Sequence, residues 1–149
     1  MYKQTLAILL ASATLAACGS RPENPVDYVT YRDEPLVKQV ENGMTIAEFP
    51  TTHEAAAASC EAGLAVLVGA PNLVMGGSHS GNVAAIDLLQ AGQADILSSD
   101  YVPASLIESI FKLPASGAGI SLPQAVRLAS LNPARAVGLG DRGEIAPER

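Results

Sequence analysis

Asp100 stands directly behind the apolar run Asp95–Ser99. A carboxylate just past a buried strand points into the mouth of a barrel or a sheet crevice, where it can bind a metal ion and accept a proton from bound water. The same residue could instead cap a helix starting near Pro103, and the pattern accommodates both uses. A second chemical candidate is the loop Gly76-Gly77-Ser78-His79-Ser80-Gly81-Asn82. Its glycines allow the backbone to approach a ligand, and a helix following it would offer amide N–H groups to an anion. His79 could donate to a phosphate or ligate a metal through a neutral imidazole. The competing reading is a polar surface loop whose Ser80 or Asn82 caps the next helix. It is not a Walker loop, because no Gly-Lys-Ser/Thr follows.

Three further residues carry weaker signals. Glu48 lies in an apolar segment, where an unpaired charge is costly, so it is either a second carboxylate at the site or one half of an ion pair. His53 opens a predicted helix and is expected at the surface. Asn132-Pro133-Ala134-Arg135 reads as a helix break, with Arg135 either in a salt bridge or facing phosphate.

The elements that must position these residues are short strands alternating with helices, the pattern of a parallel α/β sheet or barrel whose chemistry sits at strand C-terminal ends. The spacing predicts strands over Ile46–Pro50, Leu64–Ala70 and Asp95–Ser99. It predicts helices over His53–Ala62, Val83–Ala91, Pro103–Lys112 and Leu122–Leu131, with Pro133–Val137 as a further turn. Thr52 is placed as an N-cap, and Gly63 and Gly92 as stops. The second strand is expected to run straight into the glycine-containing loop.

Composition sets the outer limits. The chain has 149 residues, 48% of them hydrophobic, with 15 Asp plus Glu against 9 Lys plus Arg and a net charge of −6. That is enough for one domain with a core. The acidic balance and the lack of a basic patch argue against nucleic acid, and 4% aromatics without tryptophan leave no stacking platform for single strands. The two cysteines, Cys18 and Cys60, sit in unrelated contexts and form no metal-binding motif.

Residues 1–18 differ from the rest. Lys3 precedes TLAILLASATLAA, an apolar run too short to cross a bilayer as a helix, with the layout of an export signal. Leu15-Ala16-Ala17-Cys18 resembles a bacterial lipobox, which implies cleavage before Cys18 and lipidation of that cysteine, anchoring the chain in the cell envelope. A buried N-terminal helix is the alternative. Residues 19–45 read as a linker, GSRPENPVDYVT, followed by a short helix from about Pro35 to Asn42-Gly43. With YVTYRDEPLVKQVENGMT, this head resembles the start of the osmotically inducible lipoprotein E family of outer-membrane lipoproteins.

From about Ile46 to Pro147 the chain resembles a different family. IAEFPTTHEAAAASCEAGLAVLVGAPNLVMGGSHSGN, DILSSDYVPASL, LPQAVRLASLNPARAVGL and DRGEIAP are similar to the C-terminal part of the amidohydrolase-superfamily diphosphatases of the carbon–phosphorus lyase pathway. The resemblance implies the last three or so βα units of a (β/α)8 barrel and a cytoplasmic, metal-dependent enzyme. Its substrate would be α-D-ribose 1-methylphosphonate 5-triphosphate, hydrolysed to the 5-monophosphate and pyrophosphate. It further implies that Asp100 binds the divalent metal, zinc, and assists the hydrolytic water. Gly76, Gly77, Ser78, His79, Ser80, Asn82 and Tyr101 would then face the substrate.

Such enzymes bind metal through an early His-x-His pair and further histidines. Here the histidines are His53 and His79, and they form no such pair. A full barrel also takes about 250 residues. The sequence therefore leads to the expectation of a truncated, inactive hydrolase. The alternatives are a non-enzymatic envelope lipoprotein and a non-functional chimera joined near Thr45.

Overall fold

A computed structural model describes residues 43–78 and 81–147. The lipobox with Cys18, the linker, the helix expected before Gly43, and the pair His79 and Ser80 lie outside the described residues.

Among the described residues, three parallel strands form the sheet, in the order β1 (Ile46–Glu48), β2 (Ala65–Gly69), β3 (Ile96–Ser98). The register sets Ala47 beside Val66, and Leu67 beside Ile96. Sequential strands joined by helical crossovers are what a parallel sheet requires. The chain is α/β, as the alternation of patterns implies.

Helix α1 (His53–Glu61) connects β1 to β2. The Thr52 side chain accepts from the Ala55 amide at 3.1 Å, satisfying one of the N–H groups that a helix start leaves unpaired. Gly63 follows with φ +80°, a conformation glycine adopts at no steric cost. The buried residues of α1 are Ala55, Ala56 and Ser59, small enough to bring the helix close to its neighbours. The Ser59 hydroxyl donates to the Ala55 carbonyl at 2.8 Å, so it is buried without an unmet hydrogen bond.

Between β2 and β3 the structure departs from the sequence-based expectation. β2 does not run directly into a loop. Its last residue, Gly69, is the N-cap of α2 (Ala70–Met75), with Pro71 in the first turn. Proline is suited to that position, since its missing N–H is unpaired there anyway. The following helix is also shorter than its pattern suggested: α3 (Ala85–Gln90) has Ala84 at its N-cap with no side-chain cap. Asn82 therefore does not cap it.

After β3 come α4 (Pro103–Lys112), a 3-10 turn at Leu113–Ala115, α5 (Leu122–Ala129) and α6 (Leu131–Ala136). The α4 boundaries are those expected. The Asn132–Arg135 segment is not the helix break; it lies inside α6, and the chain breaks at Ser130 (φ −133°, ψ −77°). The Asn132 side-chain amide donates to the Asp95 carbonyl at 2.8 Å, docking α6 to the entry of β3. The core is aliphatic: Val66, Leu88, Leu113 and Leu131 are all but fully buried. Ser109 on α4 donates its hydroxyl to the Ala70 carbonyl at 3.1 Å, tying α4 to the start of α2. The strand ends and α2 are thereby held against a packed helical layer.

Candidate functional site

The C-terminal ends of the three strands lie side by side, and the backbone there is unusual. Phe49, one residue past β1, has φ +52°, and Asp100, two residues past β3, has φ +50°. Left-handed backbone costs an L-residue about 1–2 kcal/mol; aspartate visits it more readily than a bulky aromatic does. Two such residues at the ends of the two outer strands, on either side of β2, is the kind of local strain that clusters at functional sites. The Phe49 amide donates to the Leu67 carbonyl at 2.9 Å, carrying the ladder one residue past β1. The Asp100 amide donates to the Ser98 hydroxyl oxygen at 3.1 Å, closing the turn after β3.

Gly69 ends β2 between them. A methyl group placed on it would lie 3.3 Å from Phe49 Cε1 and 3.5 Å from Asp100 Oδ2. The Phe49 ring and the Asp100 carboxylate therefore both approach the space that a side chain at residue 69 would fill. Asp100 does not cap α4. The N-cap of that helix is Val102, without a side-chain cap, and its first turn is closed by the Ser105 hydroxyl donating to the Val102 carbonyl.

Asp100 borders a cleft of about 280 Å³ whose walls include Phe49, Asn72, Met75, Gly77, Ser78, Asn82 and Tyr101. Among the described lining residues Asp100 is the charged one. The fold thus gathers Asp100, Tyr101, Gly77, Ser78 and Asn82 around one opening. It does not bring Gly76 there: Gly76 is the left-handed C-cap of α2 (φ +82°) and borders a separate small cavity beside Leu73 and Ile86. His79 and Ser80 lie outside the described residues.

Glu48 is half-buried in β1 and does not line the cleft, so it is not a second carboxylate at this opening. His53 is exposed, with Nδ1 2.7 Å from Gln93 Oε1. Arg135 lies at the other end of the sheet, beside Cys60, Asp95 and Asn132 near the strand starts, where it cannot reach a ligand next to Asp100. At that end, burial and the nearby Asp95 charge push the Cys60 thiol above its usual range.

Three residues of the site were not singled out from the sequence. Phe49 and Gly69 are ordinary strand-end residues in the linear pattern, and their roles depend on the neighbouring strands. Asn72 carried one usable signal, a proline–asparagine pair just past a buried strand, which favours a turn or helix start. Its side-chain Oδ1 accepts from the Ala85 amide at 2.9 Å. The first amide of α3 is therefore taken and is not presented to an anion.

Among its described residues the cleft lacks the donor set of the zinc centre that the resemblance implies. A hydrolytic zinc takes three protein ligands, drawn from His, Cys and carboxylates. Asp100 offers one, and the other polar side chains on the wall are amides and hydroxyls. Among the described residues, no group of three or more His, Cys, Asp or Glu could hold a metal ion. The described residues by themselves do not fit a zinc site.

Over 104 residues the chain is 59% identical to the alpha-D-ribose 1-methylphosphonate 5-triphosphate diphosphatase of Escherichia coli (strain K12). The aligned stretch is 69% of this chain and 28% of that protein, so the chain spans less than a third of the relative's length. No family model and no solved structure matches the chain.

Proposed function

We propose that residues 46–149 form part of a phosphoanhydride hydrolase site, with the Asp100 cleft as its phosphate-handling end. The substrate class is a sugar triphosphate, α-D-ribose 1-methylphosphonate 5-triphosphate, with pyrophosphate as leaving group. The observation that carries this reading is Asp100 itself: a strand-end carboxylate in strained backbone, aimed at a cleft whose other polar groups are neutral. The 59% identity to a diphosphatase supports the substrate class. In this reading Asp100 accepts the proton of the attacking water, while Gly77, Ser78 and Asn82 on one wall and Tyr101 on the other face the phosphates. Each backbone N–H, side-chain amide N–H or hydroxyl on these residues can donate to a phosphate oxygen. His79 and Ser80 stand between Ser78 and Asn82 in the sequence and lie outside the described residues. Asp100 would offer one ligand to a divalent metal; the other described residues of the cleft supply no further His, Cys or carboxylate. The sheet is then a segment of a (β/α)8 barrel.

The test is a titration of the isotopically labelled chain with the triphosphate. The amides of Gly77, Ser78, Asn82, Asp100 and Tyr101 should shift together and saturate. Shifts confined to the Cys60–Arg135 end, or none at all, would overturn the assignment.

A second reading concerns destination and rests on Leu15-Ala16-Ala17-Cys18. We propose that this lipobox-like tetrapeptide leads to lipidation of Cys18 and retention in a bacterial envelope. Intact mass and membrane fractionation of the wild type and Cys18→Ala decide it. Retention that survives the substitution refutes the anchor.

A further inference from the structure

We infer that Asn72 is a positioning residue that holds the Ser78 and Asn82 wall of the cleft in place, an inference that rests on the triphosphate-site reading above. Asn72 bonds on both sides of the turn region that carries these residues. Its backbone carbonyl accepts from the Gly76 amide at the end of α2, and from the Gly77 amide at 2.9 Å. Its side-chain Oδ1 accepts from the Ala85 amide at 2.9 Å, thirteen positions further along the chain. One residue therefore fixes the departure of the chain from α2 and its arrival at α3.

The arrival is fixed a second time by the Val83 amide, which donates to the Thr51 carbonyl at 3.0 Å, linking it to the segment after β1. Gly77 and Gly81 have φ of +154° and +72°, so the backbone beside Ser78 and Asn82 uses conformations that glycine adopts readily and that anchors on either side help to fix. An asparagine in the first turn of a helix usually bonds its own neighbourhood or points to water. The bond to Ala85 does neither, and it closes a long span at the wall of the cleft.

The chemistry restricts which residues can do this. The Ala85 amide needs an acceptor at the reach of an Asn or Asp side chain. Asn72→Leu keeps the approximate volume and removes the acceptor; Asn72→Asp keeps the acceptor. In full-length protein, hydrogen exchange of the Ala85 amide should accelerate about tenfold or more in Asn72→Leu and remain near the wild-type rate in Asn72→Asp. The dissociation constant for the triphosphate should rise about tenfold or more in Asn72→Leu. Ser109→Ala is the matched control: it removes a bond from α4 to α2, outside the cleft, and should leave that constant unchanged at a comparable loss of stability.

Unchanged exchange at Ala85 in Asn72→Leu overturns the inference, as does freed exchange with undiminished binding, or equal weakening by Ser109→Ala. If the wild type binds no triphosphate, the functional reading and the positioning role toward it both fail. The exchange arm then reports on the bond to Ala85 alone.

Discussion

Phe49 and Asp100 hold left-handed backbone, at φ +52° and +50°, at the ends of the two outer strands, with Gly69 ending the strand between them. Their side chains come within 3.3 Å and 3.5 Å of the position a methyl group on residue 69 would occupy. Gly69 itself has an ordinary φ of −84°, so what a side chain there would meet is crowding rather than backbone strain.

Gly69→Ala should therefore act through crowding. The Phe49 ring, already tight against the new methyl, would have to move by a few tenths of an ångström, and overpacking of this kind costs about 1–3 kcal/mol. Urea unfolding should show a loss near the lower end of that range, and the Asp100 amide resonance should move. A variant with wild-type stability and an unmoved Asp100 would mean that the strand ends yield freely.

Substitutions at Asp100 separate strain from function. Glycine accepts left-handed backbone without penalty and asparagine tolerates it, while alanine does not. Asp100→Gly and Asp100→Asn should stay within about 0.5–1 kcal/mol of the wild type, and Asp100→Ala should fall about 1 kcal/mol below Asp100→Gly. In metal-free buffer, Asp100→Asn should also bind the triphosphate more tightly, because a negative charge is removed from beside a polyanion. Weaker binding in that variant would argue against phosphate lying at this wall.

At the start of α1, Thr52→Ala should cost about 1 kcal/mol, the usual effect of losing a side-chain N-cap. The Glu54 carboxyl is held below its ordinary range by its backbone hydrogen bond and by the Thr52 hydroxyl. A carboxylate depressed in the folded state adds stability above its unfolded pKa, and that contribution is lost as pH falls through the folded value. The stability gap between wild type and Thr52→Ala should therefore narrow on acidification below about pH 4, as denaturation at a series of pH values can show. A gap that widens in acid would contradict this linkage.

Asn132→Leu removes the side-chain donor that the Asp95 carbonyl meets at the entry to β3. The expected loss is about 1–2 kcal/mol, with faster amide exchange in α6 than elsewhere. Uniform acceleration over all helices would instead show that α6 does not open independently.

Cys60 should alkylate more slowly at neutral pH than an unstructured thiol, because burial and Asp95 disfavour its thiolate. The rate, followed by mass mapping of the Cys60 peptide, should climb steeply as pH rises above about 8.5. Fast labelling at pH 7 would show that the α1 C-terminal region opens readily.

Much of the fold was legible residue by residue. Hydrophobic runs of strand length, capped helix starts and glycine stops are local properties, so the three strands, the Thr52 cap and the boundaries of α4 follow from the linear pattern. Asp100 was legible for the same reason: its position after a buried strand is a local fact with a fixed geometric consequence. What stayed hidden depends on distant partners. Asn82 looks like a helix cap until Asn72, ten positions earlier, takes the Ala85 amide. Arg135 is compatible with phosphate until the docking of α6 places it at the opposite end of the sheet. Gly69 has no distinction along the chain; it is set apart only when parallel pairing brings Phe49 and Asp100 to either side of it. Sequence fixes which residues can adopt a backbone or bear a charge, whereas sheet register and helix docking decide which of them meet.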